Sequence, residues 1–223
     1  MSLIVIEGLD GSGKGTQSQR LLDYLEREQI PCKKITFPDY DSDSSALVKM
    51  YLAGDFGTNA ESVNAYAASS FYAVDRFASF STKWGSDYKA GKLILADRYT
   101  TSNIVYQLTK MPEDKWEEFC TWTTDFEFVK MGLPVPDKVI YLDMPPEVSQ
   151  KLLVKRYNGE ESKKDIHEKN VEFLHRCRKS AMFAAEKYGW LVIPCSENGE
   201  PRSMDEIHND IISALKKSGI IER

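Results

Sequence analysis

Gly8-Leu9-Asp10-Gly11-Ser12-Gly13-Lys14-Gly15-Thr16 carries the GxxxxGK spacing of a loop built to hold phosphate. In such a loop the glycines let the backbone curl until its N–H groups converge on phosphate oxygens, and the helix that follows adds its positive end. Lys14 supplies a mobile charge for β and γ phosphates. The whole run Gly8 to Thr16 is therefore the expected triphosphate cradle. A glycine-rich turn that merely joins strand to helix is the plainer alternative, and the spacing, the lysine and the location all weigh against it. One departure stands out: Gly15 occupies the position where a Ser or Thr hydroxyl ordinarily holds magnesium. Metal binding would then rest on water, on Thr16 or on carboxylates.

A second pair of chemical groups follows an apolar run, Leu93-Ile94-Leu95-Ala96, as Asp97-Arg98-Tyr99. Asp97 is placed like a Walker-B carboxylate that organises magnesium. Arg98 can span donor and acceptor phosphates and offset the repulsion that opposes their approach. An Asp-Arg helix-cap pair is the plainer reading. Further along, Lys155-Arg156 leads into the charged stretch Tyr157 to Asp165, which suits a lid (about 156–165) closing over the phosphates, because transfer must exclude water. An ordinary solvated charge run is the competing view. His167 is read as structural, since a phosphate anion acting as nucleophile needs no general base.

Positioning these groups takes a sheet with helices on both sides. Strands are expected at Leu3–Glu7, Lys33–Phe37, Lys92–Ala96, Lys138–Leu142 and Trp190–Pro194, short and apolar on both faces as in a covered parallel sheet. Helices are expected at Lys14–Gln29, Ser44–Ala53, Ala60–Ala90, Thr101–Lys110, Glu113–Lys130, Pro146–Arg156, His167–Tyr188 and Ser203–Lys217. Loops are expected at Tyr157–Asp165 and Ser196–Pro201. The class is α/β: a three-layer P-loop NTPase fold with a five-stranded parallel sheet, forming one domain over residues 1–223. Ligands in such sheets bind beyond the carboxyl ends of the strands, where the loop after Glu7 and Asp97 both fall.

Composition narrows the function classes. A net charge of -5 argues against a nucleic-acid binder, so any anionic ligand must meet a local cluster of positive charge. Cys32, Cys120, Cys177 and Cys195 are scattered without CxxC pairing or nearby His, which indicates neither a disulfide framework nor a zinc site. No apolar run approaches the roughly 20 residues needed to cross a bilayer, and no basic leader precedes Glu7. A soluble, cytoplasmic protein without a membrane partner is expected.

The wording Gly13-Lys14-Gly15-Thr16-Gln17 also occurs in adenylate kinases, so the acceptor must be read elsewhere. Glu7-Gly8-Leu9-Asp10, Phe37-Pro38, Asp75-Arg76 and Asp97-Arg98-Tyr99, followed by Ser102-Asn103 and Tyr106-Gln107, resemble the thymidylate kinase family in order and spacing over nearly the whole chain. The resemblance implies transfer of the ATP γ-phosphoryl group to dTMP, with Mg2+, in a homodimer to which the Ala60–Ala90 helix contributes. It places Asp10 near the deoxyribose 3′-hydroxyl and the metal, and Phe37, Tyr40, Arg76 and Arg98 around the monophosphate. Arg76 and Arg98 make a forked pair of phosphate clamps. Tyr72 takes the position of a ring stacked on thymine, with Phe71 as competitor and a core stripe of Phe71, Tyr72, Phe77 and Phe80 as the plainer alternative. Asn103 is assigned to the imide edge of thymine and Tyr106 to the sugar face that disfavours a ribose 2′-hydroxyl. Gly11 stands where some members carry an arginine, so the catalytic arginine is expected from the lid, with Arg156 preferred to Lys163 and Lys164. Asp10, Lys14, Arg98 and Arg156 form the expected catalytic set. Asp39 departs from the usual Arg or Glu and would repel a phosphate. A deoxynucleoside kinase and a nucleotide-dependent switch are the two rival readings.

Overall fold

A computed structural model describes residues 2–57, 59–156 and 171–221. Five parallel strands, β1 (Ser2–Gly8), β2 (Cys32–Thr36), β3 (Leu93–Asp97), β4 (Lys138–Asp143) and β5 (Leu191–Pro194), form one sheet in the order β2-β3-β1-β4-β5. The register sets Ile6 beside Asp97 and Gly8 beside Leu142, so the loop after β1 opens between the ends of β3 and β4. This is the position where strand order reverses and a crevice forms.

Helices cover both faces. They are α1 (Lys14–Arg27), α2 (Ala46–Ala53), α3 (Ala65–Ser79), α4 (Gly85–Lys89), α5 (Thr100–Gln107), α6 (Trp116–Thr124), α7 (Pro146–Arg156), α8 (Val171–Tyr188) and α9 (Met204–Lys217). Alternate residues of β1 feed two cores because a strand points successive side chains to opposite faces. Leu3 and Val5 pack with Trp84, Tyr99, Phe119 and Leu174 on one side. Ile4 and Ile6 pack with Leu21, Leu25, Ile211 and Leu215 on the other.

Three expectations need correction. The stretch expected as one helix over Ala60–Ala90 starts only at Ala65, where the Asn64 side chain accepts from the Ala67 N–H, and it is interrupted by a π turn over Phe80–Trp84. There Phe80 packs edge-on against buried Trp84 with ring centroids 4.7 Å apart, and the widened turn accommodates the two rings. A second π turn, Asp125–Lys130, ends the helix expected over Glu113–Lys130 and brings Glu127 into the interior. The loop expected over Ser196–Pro201 is a small antiparallel hairpin, β6 (Ser196–Glu197) and β7 (Glu200–Pro201). Its turn is Asn198-Gly199, both in the left-handed region, as a two-residue hairpin turn requires.

The lid residues 157–165, with Lys163, Lys164 and His167, lie outside the described residues. Arg156 ends α7. All four cysteines are free. Among the described residues, no helix is long and apolar enough to cross a membrane.

Candidate active site

The chain leaves β1 at Gly8, turns through Gly11 and Gly13 with positive φ, and enters α1 at Lys14. Asp10 to Thr16 line a cleft of about 1330 Å3, while Gly8 and Leu9 lie behind its wall. The Lys14 ammonium is buried and donates to the Leu9 carbonyl at 2.8 Å, with Asp10 Oδ1 3.7 Å away. Burial, and then the nearby Arg98 cation, pull its pKa below the ordinary lysine value. A cation disfavoured in this way gains from an incoming phosphate.

Arg98 is the hub of the cleft. Its backbone is left-handed, at φ 67°, a conformation costly for a residue with a side chain and concentrated at functional sites. The guanidinium pairs with Asp10 through Nη2. Its Nη1 lies 3.2 Å from Tyr106 Oη, 3.4 Å from Ser102 Oγ and 3.5 Å from Glu7 Oε1. Its charged carbon stands 5.1 Å over the Tyr106 ring, and the Tyr106 hydroxyl donates to Asp10 at 3.0 Å. Burial disfavours the Arg98 cation, but Asp10, Tyr106 and Glu7 outweigh it and push the pKa well above the ordinary arginine value. The geometry thus gathers Asp10, Lys14, Arg98 and Tyr106. It adds Glu7, fully buried, which accepts from the Gly8 N–H at 2.9 Å, Thr101 Oγ1 at 2.8 Å and Ser102 Oγ at 2.7 Å. Glu7 belongs to the resemblance motif, but sequence reading gave it no role, because its burial and partners appear only in the fold.

Phe37, Tyr40, Tyr72 and Asn103 also line the cleft. Tyr72 and Phe71 are now separable: Tyr72 meets the cleft, while Phe71 packs on Phe56, with centroids 5.4 Å apart, away from it. Arg76 corrects an expectation. It is buried, does not line the cleft, and is held by Glu127 through Nε and Nη2, each at 2.6 Å. With its fork spent on a carboxylate in the interior, Arg76 is no phosphate clamp here. Glu127 was invisible to sequence reasoning, and no local pattern would have found it.

Asp97 lies at the end of β3, with Ser18 Oγ 3.4 Å from its Oδ2. A side-chain carbon added at Gly15 would sit 3.8 Å from that oxygen, so the residue that departs from the usual hydroxyl faces the Walker-B-like carboxylate. Asp97 and Thr16 both line the cleft. The Asp39 carboxylate is paired with Lys83 at 2.6 Å, and its backbone N–H donates to buried Asp75. The negative charge that sequence reading placed against a phosphate is thus partly neutralised.

Beyond the P-loop, Gln17 Nε2 donates to the Met204 carbonyl at 2.9 Å, and Arg20 pairs with Asp205. These contacts tie α1 to the start of α9, where Ser203 and Glu206 form a capping box. Arg20, Arg202 and Met204 complete this part of the wall. None of the three was anticipated, although Arg202 directly follows the segment singled out after the last strand.

Comparison with known proteins agrees with this geometry. A family model described as thymidylate kinase matches residues 6–211. A thymidylate kinase of Plasmodium falciparum is 28% identical over 215 residues, covering 96% of this chain and 89% of that protein. One of Mycobacterium tuberculosis strain H37Rv is 30% identical over 200 residues, covering 86% and 90%. The solved structure of a thymidylate kinase from Candida albicans superposes with a TM-score of 0.69 at 20% identity, over 98% of this chain and 92% of that one, and shares the fold.

Proposed function

The chain belongs to the thymidylate kinase family, and from that premise we propose how its cleft transfers the γ-phosphoryl group of ATP to dTMP. The observation that carries the reading is the placement of Lys14 and Arg98 in one continuous cleft of about 1330 Å3. That volume exceeds the roughly 300–1,000 Å3 of a single small-molecule site, as two nucleotides require.

ATP takes the P-loop, Gly8 to Thr16, with its nucleoside toward Arg20, Arg202 and Met204. The dTMP takes the wall of Phe37, Tyr40, Tyr72, Asn103 and Tyr106. A dTMP phosphate oxygen attacks the γ-phosphorus in line, the bond from that phosphorus to the β,γ-bridging oxygen breaks, and ADP leaves with the electron pair. There is no proton to abstract, so catalysis is positioning and charge stabilisation. Lys14 leaves the Leu9 carbonyl for the β and γ phosphates. Arg98, held by Glu7, Asp10, Ser102 and Tyr106, already stands where donor and acceptor phosphates meet. Asp10 holds the deoxyribose, with Tyr106 closing the side on which a 2′-hydroxyl would stand. Tyr72 stacks on the base. Arg156, at the end of α7, closes over the triphosphate and adds the last positive charge.

Asp97 and the Thr16 hydroxyl, which both line the cleft, offer hard oxygen donors that fit magnesium. The ion would neutralise triphosphate charge there. Exposed Val74 and Phe77 on α3, with Leu47 and Met50 on the adjoining α2, supply the face of a homodimer. We take residues 1–223 as one functional unit, since residues from Asp10 to Ile207 line one cleft; a limited proteolysis product that keeps full activity after losing either end would overturn that. We place the enzyme in the cytoplasm, where four free thiols stay reduced; recovery from a secreted fraction would contradict this.

The test is ADP release with ATP, magnesium and a panel of dTMP, AMP, CMP, GMP and thymidine. Strong preference for dTMP is expected, and Arg98→Ala should lower kcat by about 100- to 1,000-fold. Turnover of thymidine in place of dTMP, or Arg98→Ala at full rate, would overturn the assignment.

A further inference from the structure

Glu127 lies outside the cleft, yet its carboxylate accepts four hydrogen bonds beside it. Its Oε2 accepts from Arg76 Nε at 2.6 Å and Thr100 Oγ1 at 2.7 Å. Its Oε1 accepts from Arg76 Nη2 at 2.6 Å and from Asn103 Nδ2 at 2.8 Å. The other amide hydrogen of Asn103 goes to the Ser69 carbonyl at 3.2 Å. All these groups are buried: Arg76, Thr100 and Glu127 are each 1% exposed.

An amide can ordinarily be turned over, because its two ends differ only in hydrogen-bonding sense. Asn103 cannot. A carbonyl and a carboxylate paired with a guanidinium both accept only, so turning the amide would set its oxygen against two acceptors in the interior. The amide nitrogen therefore stays inward, and Oδ1 is the polar atom Asn103 has left for a ligand in the cleft that it lines.

We propose that Glu127 is a positioning residue that sets base selectivity: by holding Arg76 and the Asn103 nitrogen, it makes the cleft read a base edge that donates and reject one that accepts. This rests on the assignment of the Tyr72 and Asn103 wall to the base of dTMP. A thymine or uracil edge presents N3–H to Oδ1, whereas a cytosine edge presents the bare N3 and sets two acceptors face to face. Sites that hydrogen-bond a substrate N–H reject analogues lacking it far more strongly than apolar pockets reject a change of size. Arg76 is the counter-charge paired with Glu127 in the interior.

The matched probes are dTMP and 5-methyl-dCMP, whose bases differ only in that edge. Wild-type enzyme should prefer dTMP in kcat/KM. Glu127→Gln puts an N–H2 group among the donors and lets the Asn103 amide turn, so the preference should fall at least tenfold. The change should come through the KM of the monophosphates, with the KM for ATP within about twofold. If melting shows that Glu127→Gln does not fold, Arg76→Met with Glu127→Leu removes the buried pair together, which is often tolerated, and the same loss of preference is expected. Adding Glu127→Gln to Asn103→Leu should change the preference no further, because the effect runs through Asn103. A folded Glu127 variant that keeps the full preference, or a further loss in the Asn103→Leu background, overturns the proposal. Failure of the underlying site assignment is distinguishable: there, wild type shows no preference or Asn103→Leu leaves it intact.

Discussion

Gly11 and Gly13 are two P-loop glycines with nearly the same backbone and different surroundings, and they separate strain from packing. Their φ angles are 77° and 87°. A side-chain carbon at Gly13 would meet nothing within 4 Å, whereas at Gly11 it would fall 2.9 Å from the Ser149 carbonyl oxygen and 3.0 Å from Leu153 Cγ, both on α7. Gly13→Ala should therefore cost only the left-handed backbone, about 1–2 kcal/mol. Gly11→Ala adds overpacking of a half-buried turn against α7, about 1–3 kcal/mol more. At about 2–4 °C per kcal/mol for a domain of this size, the melting temperature should fall by roughly 2–8 °C for Gly13→Ala and by roughly 4–20 °C for Gly11→Ala. The assay is calorimetric melting of both variants without nucleotide, so that lost phosphate binding does not enter. Equal melting temperatures would refute the claim that α7 packs directly on the phosphate loop. The same contact bears on catalysis: position 11 has no room for an arginine, and the helix that fills the space is the one that ends in Arg156.

Lys110 donates to Tyr51 Oη at 3.0 Å and to the Val63 carbonyl at 2.8 Å, and burial, opposed by Glu61, lowers its pKa from 10.5 to about 8. The folded pKa lies below the unfolded one, so the unfolded chain binds more protons between about pH 8 and 10.5, and stability rises with pH across that window. The slope should stay below about 1.4 kcal/mol per pH unit, since partial exposure screens the effect. Lys110→Met should remove the rise; urea midpoints at pH 7.5 and 10 that run parallel in the two proteins would contradict it. Tyr72→Phe should leave the KM for dTMP within about threefold, whereas Tyr72→Ala should raise it about 5- to 100-fold through lost base stacking; steady-state kinetics with equal values for both would remove Tyr72 from the base site. Phe77→Glu should convert a dimer to monomer at micromolar concentration, read by light scattering on a sizing column, and an unchanged mass would move the interface elsewhere.

The sheet was legible because its strands are short apolar runs punctuated by chemistry: each of the five expected strands is found within one or two residues. The P-loop was legible because its spacing is local. What failed was also local, but tertiary in cause. The Asn64 cap and the π turn at Phe80–Trp84 interrupt a stretch whose composition allows a helix throughout. Burial of Trp84 against Phe80 and Tyr99 decides the break, and neither contact lies in a propensity. The Asn198-Gly199 hairpin, by contrast, had a readable signal.

For the site, the limit lies in pairings across long separations. Tyr72 and Arg76 are four residues apart and share a helix face, which made a ring and a cation at the cleft a reasonable joint expectation. Only the ring arrives there. Arg76 sits deeper, where a guanidinium without a counter-charge is costly, and the carboxylate that satisfies it is 51 residues away in a π turn. Once Glu127 is in place, its remaining acceptor capacity orients the Asn103 amide. A residue type that reads in sequence as a phosphate ligand then acts, in the fold, as the support for a hydrogen-bonding edge. The same logic holds at Glu7, whose buried carboxylate helps hold Arg98 for the phosphates. In both places the residue that meets the ligand was legible from its type and spacing, and the buried acid that aims it was not.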